Sequence, residues 1–137
     1  MKYKFSDGGR DAHFKCGTLK KDRTNDCVIR AIALATEKSY IGVRDALFET
    51  AMNLGMMPND EKVFEPYLES IGWVKEKPFR NINGRKYRLK DIKVNENINY
   101  IFRTSKHLTA VVKGVNMDLF KAYNWCANSY WIERGNL

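Results

Sequence analysis

Cys27 follows Thr24-Asn25-Asp26 and opens the run Val28-Ile29-Arg30-Ala31-Ile32-Ala33-Leu34-Ala35, which is apolar except for one arginine. Asparagine and aspartate carry short side chains that cap the free N–H groups of a first helical turn, so the spacing predicts a buried helix with Cys27 in its opening turn. A sulfur placed there meets unpaired N–H groups and the positive end of the helix dipole, and both favour thiolate, the nucleophilic form. The bland alternative is a cysteine that packs as a small hydrophobe. A base would decide between them. His107 closes the polar stretch Thr104-Ser105-Lys106 and opens the apolar run Leu108 to Val112; an imidazole at a strand mouth reaches across to a helix N-terminus and exchanges the proton of a thiol. His13, the other histidine, lies in a polar stretch without periodicity and is the poorer candidate.

An imidazole in such a pair is oriented by a carboxylate or an amide, and Asp118 and Asn124 compete for that role. Lys113-Gly114-Val115-Asn116 supplies the glycine of a tight turn. Counting a hairpin about Gly114-Val115 sets residue 122 opposite 107, which brings Asn124 close. Asp118 is preferred, with a bulge or longer turn carrying it toward the ring. The developing oxyanion needs donors; the Cys27 N–H is one, and Asn25 is the side chain best placed to supplement it, a helix cap being its alternative role.

These side chains need a frame. Residues 1–23 are polar, rich in glycine and lysine and aperiodic, which predicts a flexible or loop-like arm ahead of a single domain over 24–137. Ser39 caps a second helix whose Val43, Ala46, Leu47, Thr50, Ala51 and Leu54 recur at helical spacing before Gly55 ends it. A third helix from about Asn59 places Val63, Phe64, Tyr67, Leu68 and Ile71 on one side, with Gly72 as its stop and Pro66 as a kink. Beyond Trp73 the pattern turns to alternation, predicting strands near 73–77, 98–103, 107–112, 117–123 and 129–133. The expected fold is α+β, N-terminal helices with a buried nucleophile helix packed on a C-terminal antiparallel sheet.

Thr24-Asn25-Asp26-Cys27-Val28-Ile29-Arg30-Ala31-Ile32, with Tyr100-Ile101-Phe102 ahead of His107-Leu108-Thr109-Ala110-Val111-Val112-Lys113-Gly114 and Asp118, resembles small phage-encoded papain-like proteins. The likeness spans roughly 24 to 131. It is similar in layout to bacteriocin-processing transporter peptidase domains and bacterial cell-wall cysteine peptidases. The resemblance implies a papain-like fold and a cysteine peptidase-type hydrolase or acyl transferase with Cys27, His107 and Asp118 as its triad. It further implies the cytoplasm of an infected bacterium and a host or phage protein as substrate. Papain relatives carry a glutamine several residues upstream of the nucleophile, whereas Lys20-Lys21-Asp22-Arg23 stands here and the chain contains no glutamine.

Composition narrows the alternatives. With 137 residues, 44% of them hydrophobic, the chain fits one packed domain; no apolar run approaches the roughly 18 residues a membrane span requires, and no apolar segment follows the basic N-terminus. Cytoplasmic residence is the expectation. Three cysteines, Cys16, Cys27 and Cys126, lack the paired spacing of a disulfide framework or a zinc site, so no metal or other cofactor is expected. Part of the net charge of +8 is concentrated in Lys75, Lys77, Arg80, Arg85, Lys86, Arg88, Lys90 and Lys93, against Glu76 and Asp91 in the same stretch. That face gives the rival reading, a non-catalytic papain-like fold that binds nucleic acid or an acidic host protein; a solvated surface is the plainer one.

Overall fold

A computed structural model describes residues 1–14, 24–77 and 79–137. Three helices, α1 (Cys27–Thr36), α2 (Tyr40–Leu54) and α3 (Glu61–Ser70), cover one face of a sheet built from β1 (Lys2–Phe5), β2 (Trp73–Glu76), β3 (Tyr100–Arg103), β4 (Leu108–Val112), β5 (Val115–Asp118) and β6 (Ser129–Glu133). The strand order is β1-β5-β4-β3-β6-β2, giving a mixed α+β fold.

Local chemistry accounts for the helices. The Ser39 hydroxyl accepts the Gly42 N–H and the Asp60 carboxylate accepts the Lys62 N–H, so α2 and α3 start on side-chain caps. Gly55 closes α2 at φ 66°, in the left-handed region that glycine enters at no steric cost. Pro66 lies inside α3, which nevertheless runs ten residues to Ser70.

Period-two alternation sorts the strand side chains into two cores. Ile101, Leu108, Ala110 and Trp131 pack beneath the helices with Ile32, Val43, Leu47 and Leu68. Tyr100, Phe102, Val111 and Ile132 point the other way and are covered by Phe79, Tyr87, Leu89 and Ile92 from the irregular segment between β2 and β3. α1 crosses β3, β4 and β5, and its apolar circumference explains why it is the inner helix of the layer.

Three expectations are corrected. Residues 2–5 of the supposed arm form β1, which pairs in parallel with β5 from Lys2 opposite Val115 to Phe5 opposite Asp118, so the sheet is mixed rather than wholly antiparallel. Its alternation is too short and too polar to read, since its stability comes from backbone pairing; residues 15–23 of that arm lie outside the described residues. The strand expected at 117–123 is β5, which ends at Asp118 and is followed by a single helical turn over Ala122–Asn124. The β4–β5 hairpin turns on Lys113 and Gly114, at φ 51° and 81°, the paired positive angles of a tight two-residue turn. Val112 therefore faces Val115, and Ala110 faces Met117. No bulge is needed.

Candidate active site

Cys27 is the first residue of α1, so its N–H is among the four that a helix start leaves without an intrahelical acceptor. Its side chain is half-buried at the floor of a cleft of about 800 Å³ that Asn25, His107, Trp125 and Cys126 also line. A second cleft, of about 250 Å³, lies against Cys27 and His107 with Asn59, Phe64 and Arg103 in its walls. Ser105 and Lys106 border both.

The structure brings Cys27, His107 and Asp118 together. Cys27 and His107 line both clefts side by side, and His107 Nε2 lies 2.6 Å from Asp118 Oδ2. Nε2 is thereby engaged, which leaves Nδ1 as the nitrogen available to the sulfur. Asp118 is fixed in turn: the Thr109 hydroxyl donates to Oδ2 at 2.6 Å and the Leu119 N–H to Oδ1 at 2.7 Å. The hairpin register produces this arrangement. With the turn at Lys113-Gly114, extending the pairing one step beyond Ala110 and Met117 sets Thr109 opposite Asp118, with His107 two residues before Thr109, just ahead of β4.

Electrostatics follow from burial and partners. Burial on its own would lower the pKa of His107, but hydrogen bonds and charge from Asp118 and Cys27 outweigh it and raise the value from 6.5 to about 9. Burial would likewise raise Asp118; the hydrogen bond and charge of His107, the Thr109 hydroxyl and the Leu119 N–H prevail and hold its carboxyl below the usual range. At neutral pH the site holds a carboxylate against an imidazolium, with Cys27 beside it in the cleft. Phe120 and Trp125 pack on the imidazole, with ring centroids 5.0 and 5.4 Å away, the tryptophan edge-on at 84°. Such contacts fix the plane of the ring.

The other sequence candidates separate. Asn124 is exposed in the turn after β5, and among the described residues no hydrogen bond joins it to His107. The hairpin count that favoured it was two residues out. Asn25 is exposed on the cleft rim at φ 55°, its carbonyl accepting from Asn59 Nδ2. The cap position of α1 belongs to Asp26, whose carboxylate bonds no first-turn N–H. Lys75, Lys77, Arg80, Arg85, Lys86, Arg88, Lys90 and Lys93 are all exposed.

Sequence reasoning missed Arg30. It is 4% exposed, one turn along α1 from Cys27, and its guanidinium joins two buried carboxylates: Nη1 pairs with Asp26, and Nη2 stands 3.6 Å from Asp118 Oδ1. Asp26 also accepts the Tyr40 hydroxyl at 2.7 Å and pairs with Arg10 Nε at 3.2 Å. Burial lowers the pKa of Arg30 against the opposing pull of Asp118. The signal was present in the sequence, a single charge interrupting an otherwise apolar helix. A buried guanidinium demands buried carboxylates.

No helix among the described residues is long and apolar enough to cross a membrane. No protein-family model matches the chain, and no curated protein or solved structure matches it either.

Proposed function

We propose that this chain is a papain-like thiol hydrolase or acyl transferase that acts on an amide or related acyl bond of a protein substrate. The observation that carries this reading is the placing of Cys27 at a helix start beside His107 in one cleft, with His107 Nε2 2.6 Å from Asp118 Oδ2. Two clefts that meet at the pair suit a substrate that runs past the sulfur as a chain.

In this reading the Cys27 thiolate attacks the carbonyl carbon, a C–S bond forms, and the oxygen takes the negative charge beside the Cys27 N–H and Asn25. Collapse breaks the C–N bond, and the departing amine takes its proton from the His107 imidazolium. A thioester on Cys27 and a neutral imidazole remain. Water, or an acceptor amine or hydroxyl, then attacks the thioester while His107 removes its proton, releasing the acyl product and restoring the thiolate and imidazolium. Asp118 keeps Nε2 occupied and Nδ1 turned to the sulfur throughout. The resemblance to phage-encoded papain-like proteins supports the same assignment and sets the reaction in an infected bacterial cytoplasm.

The test is acylation by a nitrophenyl ester. We expect one acyl group per chain on Cys27, stoichiometric release of nitrophenolate, no acylation in Cys27→Ala, and a rate lower by roughly a hundredfold or more in His107→Ala. Acyl transfer to Cys16 or Cys126 as readily as to Cys27, or a rate untouched by His107→Ala, overturns the proposal.

A further inference from the structure

The segment between β2 and β3 does two things at once. Its Phe79, Tyr87, Leu89 and Ile92 pack into the sheet, and its Lys77, Arg80, Arg85, Lys86, Arg88, Lys90 and Lys93 point out into solvent. Among the described residues, no carboxylate forms an ion pair with any of these seven; Lys75, just ahead of them, is held by Glu65 at 3.3 Å. A layer of seven cations with no ion-paired carboxylate and only the exposed Asp91 among them creates a field that extends about a Debye length, roughly 8–10 Å, from the surface.

This layer is stitched to the wall of the thiol cleft. The Leu89 N–H donates to the Trp125 carbonyl at 2.9 Å, the Ala127 N–H donates to the Tyr87 carbonyl at 3.0 Å, and Arg88 pairs with Cys126 across an isolated β-bridge. Trp125 and Cys126 line the same cleft as Cys27. Continuing outward, Arg80 and Lys86 bridge across a turn in which the Asn81 side-chain oxygen accepts the Asn83 and Arg85 N–H groups, at 2.9 and 3.0 Å. That turn presents Ile82, 100% exposed, between Arg80 and Arg85.

Resting on the acyl-transfer reading above, we propose that this face is a docking surface for an acidic stretch of the polypeptide substrate, which delivers the adjoining segment to Cys27. Carboxylates meet the guanidinium and ammonium groups, and an apolar side chain among them meets Ile82. The chemistry of the adjoining cleft favours a polypeptide over nucleic acid, because Cys27 needs an acyl carbon. The rings of the segment itself, Phe79 and Tyr87, are half-buried against the sheet and offer bases little to stack on, and the exposed ring beside it, Trp125, belongs to the cleft wall.

The experiment uses the full chain and two peptides bearing the same chloroacetamide, one extended by a run of glutamates and the other by a run of glutamines. Attack by the thiolate displaces chloride and marks the cysteine, which mass spectrometry assigns. At low salt the glutamate peptide should mark Cys27 roughly tenfold faster than the glutamine peptide. The advantage should vanish at high salt and in an Arg80→Glu, Arg85→Glu, Lys90→Glu variant whose circular dichroism matches the parent, while the glutamine peptide reacts with both proteins equally. Equal rates for the two peptides, or an advantage that survives the charge swap, overturn the docking surface. Fluorescence anisotropy adds an independent arm. A short DNA duplex that binds more tightly than the glutamate peptide overturns the polypeptide assignment in favour of nucleic acid. Marking of Cys16 or Cys126 as fast as Cys27 by the glutamine peptide is a different failure, that of the thiol reading; the docking surface then stands or falls on whether the charge swap abolishes binding of the glutamate peptide.

Discussion

Asp118→Asn keeps the size of the side chain and removes its charge, so it isolates what the carboxylate does to His107. The parent imidazole titrates at about 9 instead of 6.5, a difference that corresponds to about 3 kcal/mol in favour of the imidazolium. Near pH 7.5 a group of that pKa is roughly 97% protonated, and one at the ordinary value about 9%. Burial opposes the charged ring, so without the carboxylate it acts against the Cys27 contribution alone. The midpoint should fall by about two units. Proton NMR of the imidazole carbon-bound hydrogens across a pH series reads this directly, with His13→Asn assigning the two histidines. Cys27→Ala should produce a smaller fall. A parent midpoint within half a unit of 6.5, or an Asp118→Asn midpoint that does not move, would refute the electrostatic account of the site.

The same groups give pH-dependent stability with opposite signs. The raised value of His107 adds stability that is complete below 6.5 and disappears as pH climbs through about 9, and the depressed value of Asp118 adds stability present above its ordinary range and lost on acidification; urea unfolding at several pH values should show both losses, and Asp118→Asn should remove the acid one. Arg30→Gln leaves Asp26 and Asp118 buried without their shared cation and should cost about 3–5 kcal/mol in denaturant unfolding; a cost under about 1 kcal/mol would mean that water or Arg10 takes over its role. Gly114→Ala forces a side chain onto a φ of 81° with its Cβ 3.0 Å from Glu96 Cγ, at a cost of about 1–2 kcal/mol. Glu96→Ala in the same background should recover only the contact part, as unfolding midpoints would show.

Much of the site was legible because its determinants are local. A polar pair followed by an apolar run located Cys27 at a helix start, although neither Asn25 nor Asp26 caps it through its side chain, and a polar turn followed by β-branched residues located His107 at a strand mouth. Asp118 was harder, since its distance from the ring depends on which two residues form the hairpin turn. Lys113 at a left-handed angle is not something its side chain advertises. For Arg30 and Asp26 a lone charge in an apolar run flagged a buried ion but not what it meets. Their partners, Asp118 and Tyr40, come from elsewhere in the chain, and pairing between buried charges leaves no periodic trace. β1 escaped for want of a hydrophobic face, being largely exposed.

β1 also bears on how the protein is made. Its Tyr3 hydroxyl donates to the Asp118 carbonyl across 115 residues of sequence, and the Ser6 N–H donates to the same oxygen at 3.0 Å. Contacts of such separation form slowly, after the loop between them has been closed. A ribosome delivers Cys27 long before His107 and Asp118, so the nascent chain carries its thiol for most of synthesis without a base, and β1 without the strand it pairs with. The contact between His107 and Asp118 is therefore completed late, when β5 slots in between β4 and β1. A chain that stalls or is cut before residue 107 would carry Cys27 as an ordinary thiol without the imidazole beside it, whatever helix it has already formed.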